Sequence, residues 1–316
     1  MTVQARPRNP AIKPSRRGWA RWLTHQGFRL VSQLGFAGFI LFVTVQHILV
    51  GEAGPTVTPS PEAFCPFGGL ETIYRYVTSG GNFVPHTHLA NIVLAVAVLL
   101  TAFLARSAFC GWVCPLGFIQ DLLHRLSVFA QRRVPWLRKG VKMLRTRLAW
   151  LAVVDRPLRL LKYGVLAWAV TGAALYGVMV FRDYDPWAAL LTIAEWSLTP
   201  GLVVLLVVLV ASLFVERPWC RYACPLGAAS GIVGKFSPVY LKREDSSCKA
   251  CAVCTTACPM GLPVHTSSVI ASADCIGCLE CIGACPRNGA LEVKLGLPGW
   301  RGDKSVPGGL RISHEH

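Results

Sequence analysis

Four long apolar runs dominate the chain, and polar positions gather in blocks between them instead of alternating within them. The first run spans Val31 to Val50, about the twenty residues needed to cross the hydrocarbon core of a bilayer. Leu89–Ala105 is the second and lies near the short end of that range. Tyr163–Phe181 is the third, and Gly201–Val215 the fourth, read as reaching back through Trp196. Between the second and third runs the pattern is different. Val141, Leu144, Leu148 and Leu151 recur at helical steps with Lys142, Arg145 and Arg147 on other faces, which predicts a helix lying on an anionic membrane surface.

These runs divide the chain into six parts: a basic leader over 1–30, a first transmembrane hairpin over 31–117, and basic interfacial helices over 118–157. A second hairpin over 158–230, a cysteine-rich domain over 240–292 and a glycine- and proline-containing tail over 293–316 follow.

Composition supports a lipid environment: 53% of residues are hydrophobic and only 15% charged, where soluble domains carry about a quarter charged. A net charge of +16 raises the question of nucleic acid. The distribution argues against it, because the basic residues flank apolar runs as membrane-border charge does. Thirty of the 32 Lys and Arg lie before the first run, in 106–162 or after the fourth, and the other two loops hold only Arg75 and Arg182. On the positive-inside rule this predicts a multi-pass protein of the cytoplasmic membrane with both termini inside. No secretory signal is visible, since Pro7, Pro10 and Pro14 interrupt a basic start.

The two hairpins repeat one another. Cys110, Cys114, Pro115, Leu116 and Gly117 return 110 residues later as Cys220, Cys224, Pro225, Leu226 and Gly227. The outer loops also align, Phe64-Cys65-Pro66-Phe67 with Tyr184-Asp185-Pro186-Trp187. The expected architecture is therefore a four-helix, pseudo-twofold transmembrane unit.

Chemistry concentrates in cysteine. Cys248, Cys251, Cys254 and Cys258-Pro259 are followed by Cys275, Cys278, Cys281 and Cys285-Pro286. This is the doubled bacterial run for two [4Fe–4S] clusters, in which the fourth cysteine of each run serves the other cluster. Cys248, Cys251, Cys254 and Cys285 are then one ligand set, and Cys275, Cys278, Cys281 and Cys258 the other. Zinc knuckles match this spacing poorly, and a cytoplasmic location disfavours disulfides. The fold class is thus an α-helical membrane protein carrying a small α+β two-cluster ferredoxin-like domain.

The repeated Cys-x3-Cys-Pro pairs, read as i and i+4 on one helix face, bring four thiols together in Cys110, Cys114, Cys220 and Cys224. A third cluster, a structural zinc, a redox dithiol and plain buried cysteines are the alternatives. Cys65 and Asp185, with His47, His86 and His88, mark a candidate outer-face site. The histidines are candidates for haem ligation or for accepting protons from a quinol.

The four runs, the two Cys-x3-Cys-Pro motifs and the two-cluster tail together resemble the NapH/MauN/NosR-type membrane ferredoxins over roughly residues 30–290. The layout is nearest NapH, since no flavin domain fits before residue 31 and no extra C-terminal domain is evident. The Cys65-Pro66 loop departs from the Asp-Pro form that the second half keeps. The resemblance implies an electron-transfer subunit of quinol dehydrogenase type, and not a stand-alone enzyme. It would exchange electrons with the quinone pool and with a redox partner, either a periplasmic reductase pathway or a cytoplasmic ferredoxin-type donor. An accessory factor for metal reduction or metalloenzyme assembly, and a membrane iron–sulfur sensor, are the competing functions. The residues offer no nucleotide-binding glycine loop and no hydrolytic constellation.

Overall fold

The computed structural model describes residues 25–50, 67–69, 73, 89–147, 151–176, 180–191, 199–287 and 289–296. Cys65, His86 and His88, the side chain of His47, most of the basic leader and the tail from 297 lie outside the described residues. A helix occupies each of the four apolar runs: α1 (His25–Val50), α2 (Leu89–Ala105), α7 (Leu161–Tyr176) and α9 (Pro200–Ser212). Among the described residues only α1, over Gln26–Gln46, is long and apolar enough to cross a membrane by that measure alone.

Helix α9 has 13 residues because Thr199 caps it, its hydroxyl accepting from the Leu202 N–H, and Pro200 opens its first turn. Trp196, through which the fourth run was read back, lies outside the described residues. One face of α9 buries Gly201, Leu205, Val208 and Ser212, while Val203, Leu206, Val207 and Val210 point outward. Helix α1 carries a similar outward row that includes Phe28, Leu34, Leu41 and Phe42.

Each repeated motif forms the same local device. A five-residue helix, α3 (Ala108–Trp112) or α10 (Pro218–Tyr222), carries the first cysteine. The second cysteine, Cys114 or Cys224, then caps a new helix that opens on the following proline, α4 (Pro115–Arg133) or α11 (Pro225–Gly234). The two cysteines of a pair straddle a break between helices, so they do not lie on one continuous helix face. The proline that opens the second helix lacks an N–H and fits only at a first turn.

Packing is exchanged between the halves. Helix α4, from the first motif, packs on α9 of the second half, and α11 packs on α2 of the first half and on α7. Ser127 of α4 donates to the Leu213 carbonyl beyond the end of α9, at 2.8 Å. Each motif's second helix thus packs on a helix of the other half. Two more helices, α5 (Pro135–Arg147) and α6 (Leu151–Leu158), fill the basic segment. The chain breaks at Val134, which is extended ahead of Pro135 as a residue preceding proline prefers.

The C-terminal domain is a three-stranded antiparallel sheet ordered β2-β1-β3, with β1 Val239–Arg243, β2 Val269–Ile270 and β3 Leu291–Leu295. Leu241 pairs with Ile270 on one side and Val293 on the other. Two single-turn helices, α12 (Val253–Thr256) and α13 (Glu280–Ala284), complete it. Its core mixes Leu241, Met260, Leu262, Val264 and Ile276 with Cys254, Cys275, Cys278 and Cys281. A second core, built on Phe67, Val98, Leu116, Leu205 and Trp219, joins the repeated helices, and Phe109 packs against both.

Candidate iron–sulfur centres

Within the C-terminal domain the two cysteine runs adopt matching backbones. Ala252 and Leu279 each follow the second cysteine of their run, and each takes a left-handed φ, 56° and 57°, before a one-turn helix carrying the third. Non-glycine residues persist in that region only where the surroundings dictate it, commonly at functional sites. Here the reversal leads each loop directly into the helix that carries its third cysteine.

Cys254 lies within electrostatic reach of Cys285 and Cys251. Cys258 lies within electrostatic reach of Cys275, and Cys281 within reach of Cys278, Cys275 and Cys258 as well as Cys254 of the first run. Burial pushes the Cys278 thiol up to about 11. Cys248 goes the other way, because the Ala250 N–H and the Arg243 guanidinium favour its thiolate. The two runs also differ in exposure: Cys251 is exposed, whereas Cys275, Cys278 and Cys281 are all buried.

The second cysteine system surrounds a cavity of about 320 Å³ whose walls are almost wholly apolar and include Cys110, Cys114, Cys220 and Cys224. All four thiols stand within electrostatic reach of one another. The Cys224 Sγ accepts from the Gly227 N–H at 3.3 Å, at the start of α11, and Gln120 Nε2 approaches the Cys220 Sγ at 3.7 Å. A thiolate at a helix start meets free N–H groups and the positive end of the helix dipole. Among the described residues no three His, Cys, Asp or Glu converge on a single-ion site. A cubane, with a separate iron for each thiolate, asks for a wider set than zinc does.

Asp185 was expected beside Cys65 at an outer-face site. Just ahead of α8 (Pro186–Leu191), it is buried and lines the same cavity as the four cysteines, its Oδ1 accepting from the Trp187 N–H at 3.0 Å. Phe67, from the matching turn of the first half, lines that cavity too and meets Phe181 edge-on at 5.2 Å.

Sequence reasoning missed the buried charges that surround these centres. Arg29, Arg106, Lys162 and Arg217 are each 2% exposed or less. Arg106 donates to the carbonyls of Val239 and Ser272 and so fastens the end of α2 to the C-terminal domain. Lys162 donates to Asp274, just ahead of Cys275. Asp121 bonds both Arg217 and Arg29. The available signal was position: Arg106 and Arg217 each stand shortly before the first cysteine of a repeated motif, and both take a left-handed φ.

Comparison with known proteins agrees with this layout. A family model described as a 4Fe-4S binding domain matches residues 87–141 and 197–243, the two segments that carry the repeated motif. A 4Fe-4S dicluster domain matches residues 240–286. The chain is 26% identical over 306 residues to YccM, an Escherichia coli K12 protein named for electron transport, covering 92% of this chain and 82% of YccM. It is 32% identical over 207 residues to the ferredoxin-type protein NapH of Haemophilus influenzae Rd, covering 62% and 66% of the two chains. It is 31% identical over 183 residues to the regulatory protein NosR of Pseudomonas aeruginosa PAO1, covering 56% of this chain but only 23% of NosR. No solved structure matches the chain. The chain belongs to the NapH/NosR-type family of 4Fe-4S ferredoxin-like proteins. It is an iron–sulfur electron-transfer protein of that type.

Proposed function

We propose that this protein is a multi-pass electron-transfer subunit of the cytoplasmic membrane, of quinol dehydrogenase type. It passes electrons between the quinone pool, cytoplasmic [4Fe–4S] centres and a redox partner protein. The observation that carries this reading is the placement of two cysteine systems back to back. The four-cysteine cavity lies against the buried half of the C-terminal domain, and Cys251 of the other half opens to solvent. Such an order suits a path from lipid to a docking partner.

The residues fit the groups they would hold. Cys248, Cys251, Cys254 and Cys285 form one ligand set, and Cys275, Cys278, Cys281 and Cys258 the other. Cys110, Cys114, Cys220 and Cys224 provide a third, lining one mainly apolar cavity that Lys162, Asp185 and Asp274 also border. When bound, each cluster supplies one-electron chemistry. The chain's own part is to exclude water, donate hydrogen bonds to the sulfurs and fix the surrounding charge. The outward apolar faces of α1, α2 and α9 support burial in lipid, since soluble monomers seldom expose patches of that extent.

The test is reduction by a quinol analogue in anaerobically purified protein, followed by EPR. Reduced-cluster signals after quinol addition are expected. Clusters that stay oxidised with quinol but are reduced by a low-potential ferredoxin would contradict the quinol-oxidising direction.

A further inference from the structure

Four buried or half-buried charges of alternating sign run from the repeated motif to the C-terminal domain. Arg217, fully buried and in a left-handed conformation with φ 50°, is the N-cap of α10 just ahead of Cys220. Its Nε and Nη2 donate to the two carboxylate oxygens of Asp121 at 2.7 and 2.6 Å, and its Nη1 to the Cys110 carbonyl at 2.5 Å. Arg29 donates to the same carboxylate at 2.8 Å, to the Gly111 carbonyl at 2.8 Å and to Glu280 at 2.6 Å. Glu280 opens α13, between Cys278 and Cys281, and also accepts from Arg125 and Gln26.

The carbonyls gripped by these guanidiniums belong to the segment that touches the C-terminal domain. A Cβ at Gly111 would stand 2.5 Å from the Ile276 carbonyl oxygen and 3.5 Å from Cys278 Cα, so no side chain separates the motif from the Cys278 loop. Trp112 closes the same seam, its indole N–H donating to the Gly277 carbonyl at 3.0 Å. Arg217 acts electrostatically on a cysteine of each system, Cys220 and Cys278. Arg217 and Arg29 together balance Asp121 and Glu280, so loss of the Arg217 cation would leave this run at the seam with one uncompensated negative charge.

Fold stability alone does not call for such an arrangement, because apolar residues of equal volume often replace a buried ion group at no loss. A cluster that gains an electron becomes more negative, and an adjacent buried cation favours that state. We propose that Arg217 is a positioning residue for electron transfer, its charge raising the reduction potential of the centres on either side of the seam. Those centres are the one held by Cys275, Cys278, Cys281 and Cys258 and the one in the four-cysteine cavity. The leading electrostatic influences on Cys248 and Cys254 of the remaining set are other groups, Arg243 for the first and Cys285 for the second.

This inference rests on the cluster assignment proposed above, and the experiment separates the two. The full chain, purified anaerobically in detergent, is titrated with dithionite and mediators under EPR, each centre taking up one electron from the reductant. Arg217→Gln is expected to lower the potential of the seam centres, a fall of about tenfold in reduced-to-oxidised ratio at a fixed applied potential, while one signal stays in place. Arg217→Lys, which keeps the charge, returns the wild-type value, and Asp121→Asn moves the same signals upward. Iron and sulfide are counted on every sample. A wild type without [4Fe–4S] signals overturns the cluster assignment itself. Full iron with unmoved potentials in both Arg217→Gln and Asp121→Asn, or with every signal moved alike, overturns the role of Arg217. If Arg217→Gln loses its iron, Asp121→Asn decides: an upward shift confined to the seam signals supports the role, and its absence rejects it.

Discussion

In the C-terminal domain each cysteine is placed by its near neighbours. Left-handed turns at Ala252 and Leu279 follow the second cysteine of each run, and one-turn helices present the third. In the repeated motif the cysteines come from segments 110 residues apart and are held by the exchanged packing of α4 on α9 and α11 on α2. Charges drawn from still farther away support them, as with Arg29 and Glu280, 251 positions apart. The first system is local and self-contained, whereas the second exists only when the whole helical unit is assembled. Damage to the first should therefore remove one centre, and damage to the second should also disturb the fold.

The largest expected effect is at Cys278. Cys278→Ala takes a ligand from one set and is expected to remove about four irons per chain, checked by iron and sulfide analysis, while the helical far-ultraviolet signal stays. An equal loss from every centre would break the proposed independence of the two systems.

Next comes the buried ion group. Arg217→Ala leaves Asp121 under-compensated and is expected to destabilise the protein by about 3–5 kcal/mol, read as a lower unfolding midpoint in detergent. Replacing Arg217 and Asp121 together with Leu should recover most of that stability while leaving the potentials changed. Failure of the double variant to recover would mean that the hydrogen bonds to Cys110, and not the charge pairing, hold the motif.

The same carboxylate gives a pH signature. Burial alone would push Asp121 up, but Arg217 and Arg29 outweigh it and hold the carboxyl below its ordinary 3.8. A carboxyl depressed in the folded state adds stability that is complete above its unfolded value, near 4. That stability is lost as the pH falls through the folded value. The unfolding midpoint of the wild type should accordingly fall below about pH 4. Asp121→Asn should start lower and fall less, which a pH series of thermal melts would read. Smallest is the cap of α9: Thr199→Ala removes the side-chain acceptor for the Leu202 N–H and should cost about 1 kcal/mol without altering iron content.

How far the sequence reached follows the same division. The spacing from Cys248 to Cys285 is read directly, because a cubane dictates local geometry, and the positions of the helices in the apolar runs followed from hydropathy. The repeat brought Cys110, Cys114, Cys220 and Cys224 into one site, but the helix-face picture of each pair missed the break that Pro115 and Pro225 impose. The position of Asp185 against the four-cysteine cavity was hidden, because nothing local says that an interhelical turn folds inward. Arg29 and Asp121 were counted as border charge and as part of a surface helix. Their burial is a tertiary fact, set by which carbonyls and carboxylates the helices bring within reach.

If two separate cysteine systems hold clusters, metal stoichiometry must reveal both. Iron and acid-labile sulfide are measured on anaerobically purified wild type and on Cys114→Ser with Cys224→Ser. About twelve irons per chain are expected in the wild type and about eight in the double variant, with the reduced signals of the C-terminal centres still present. An iron count that is the same in both proteins would contradict it.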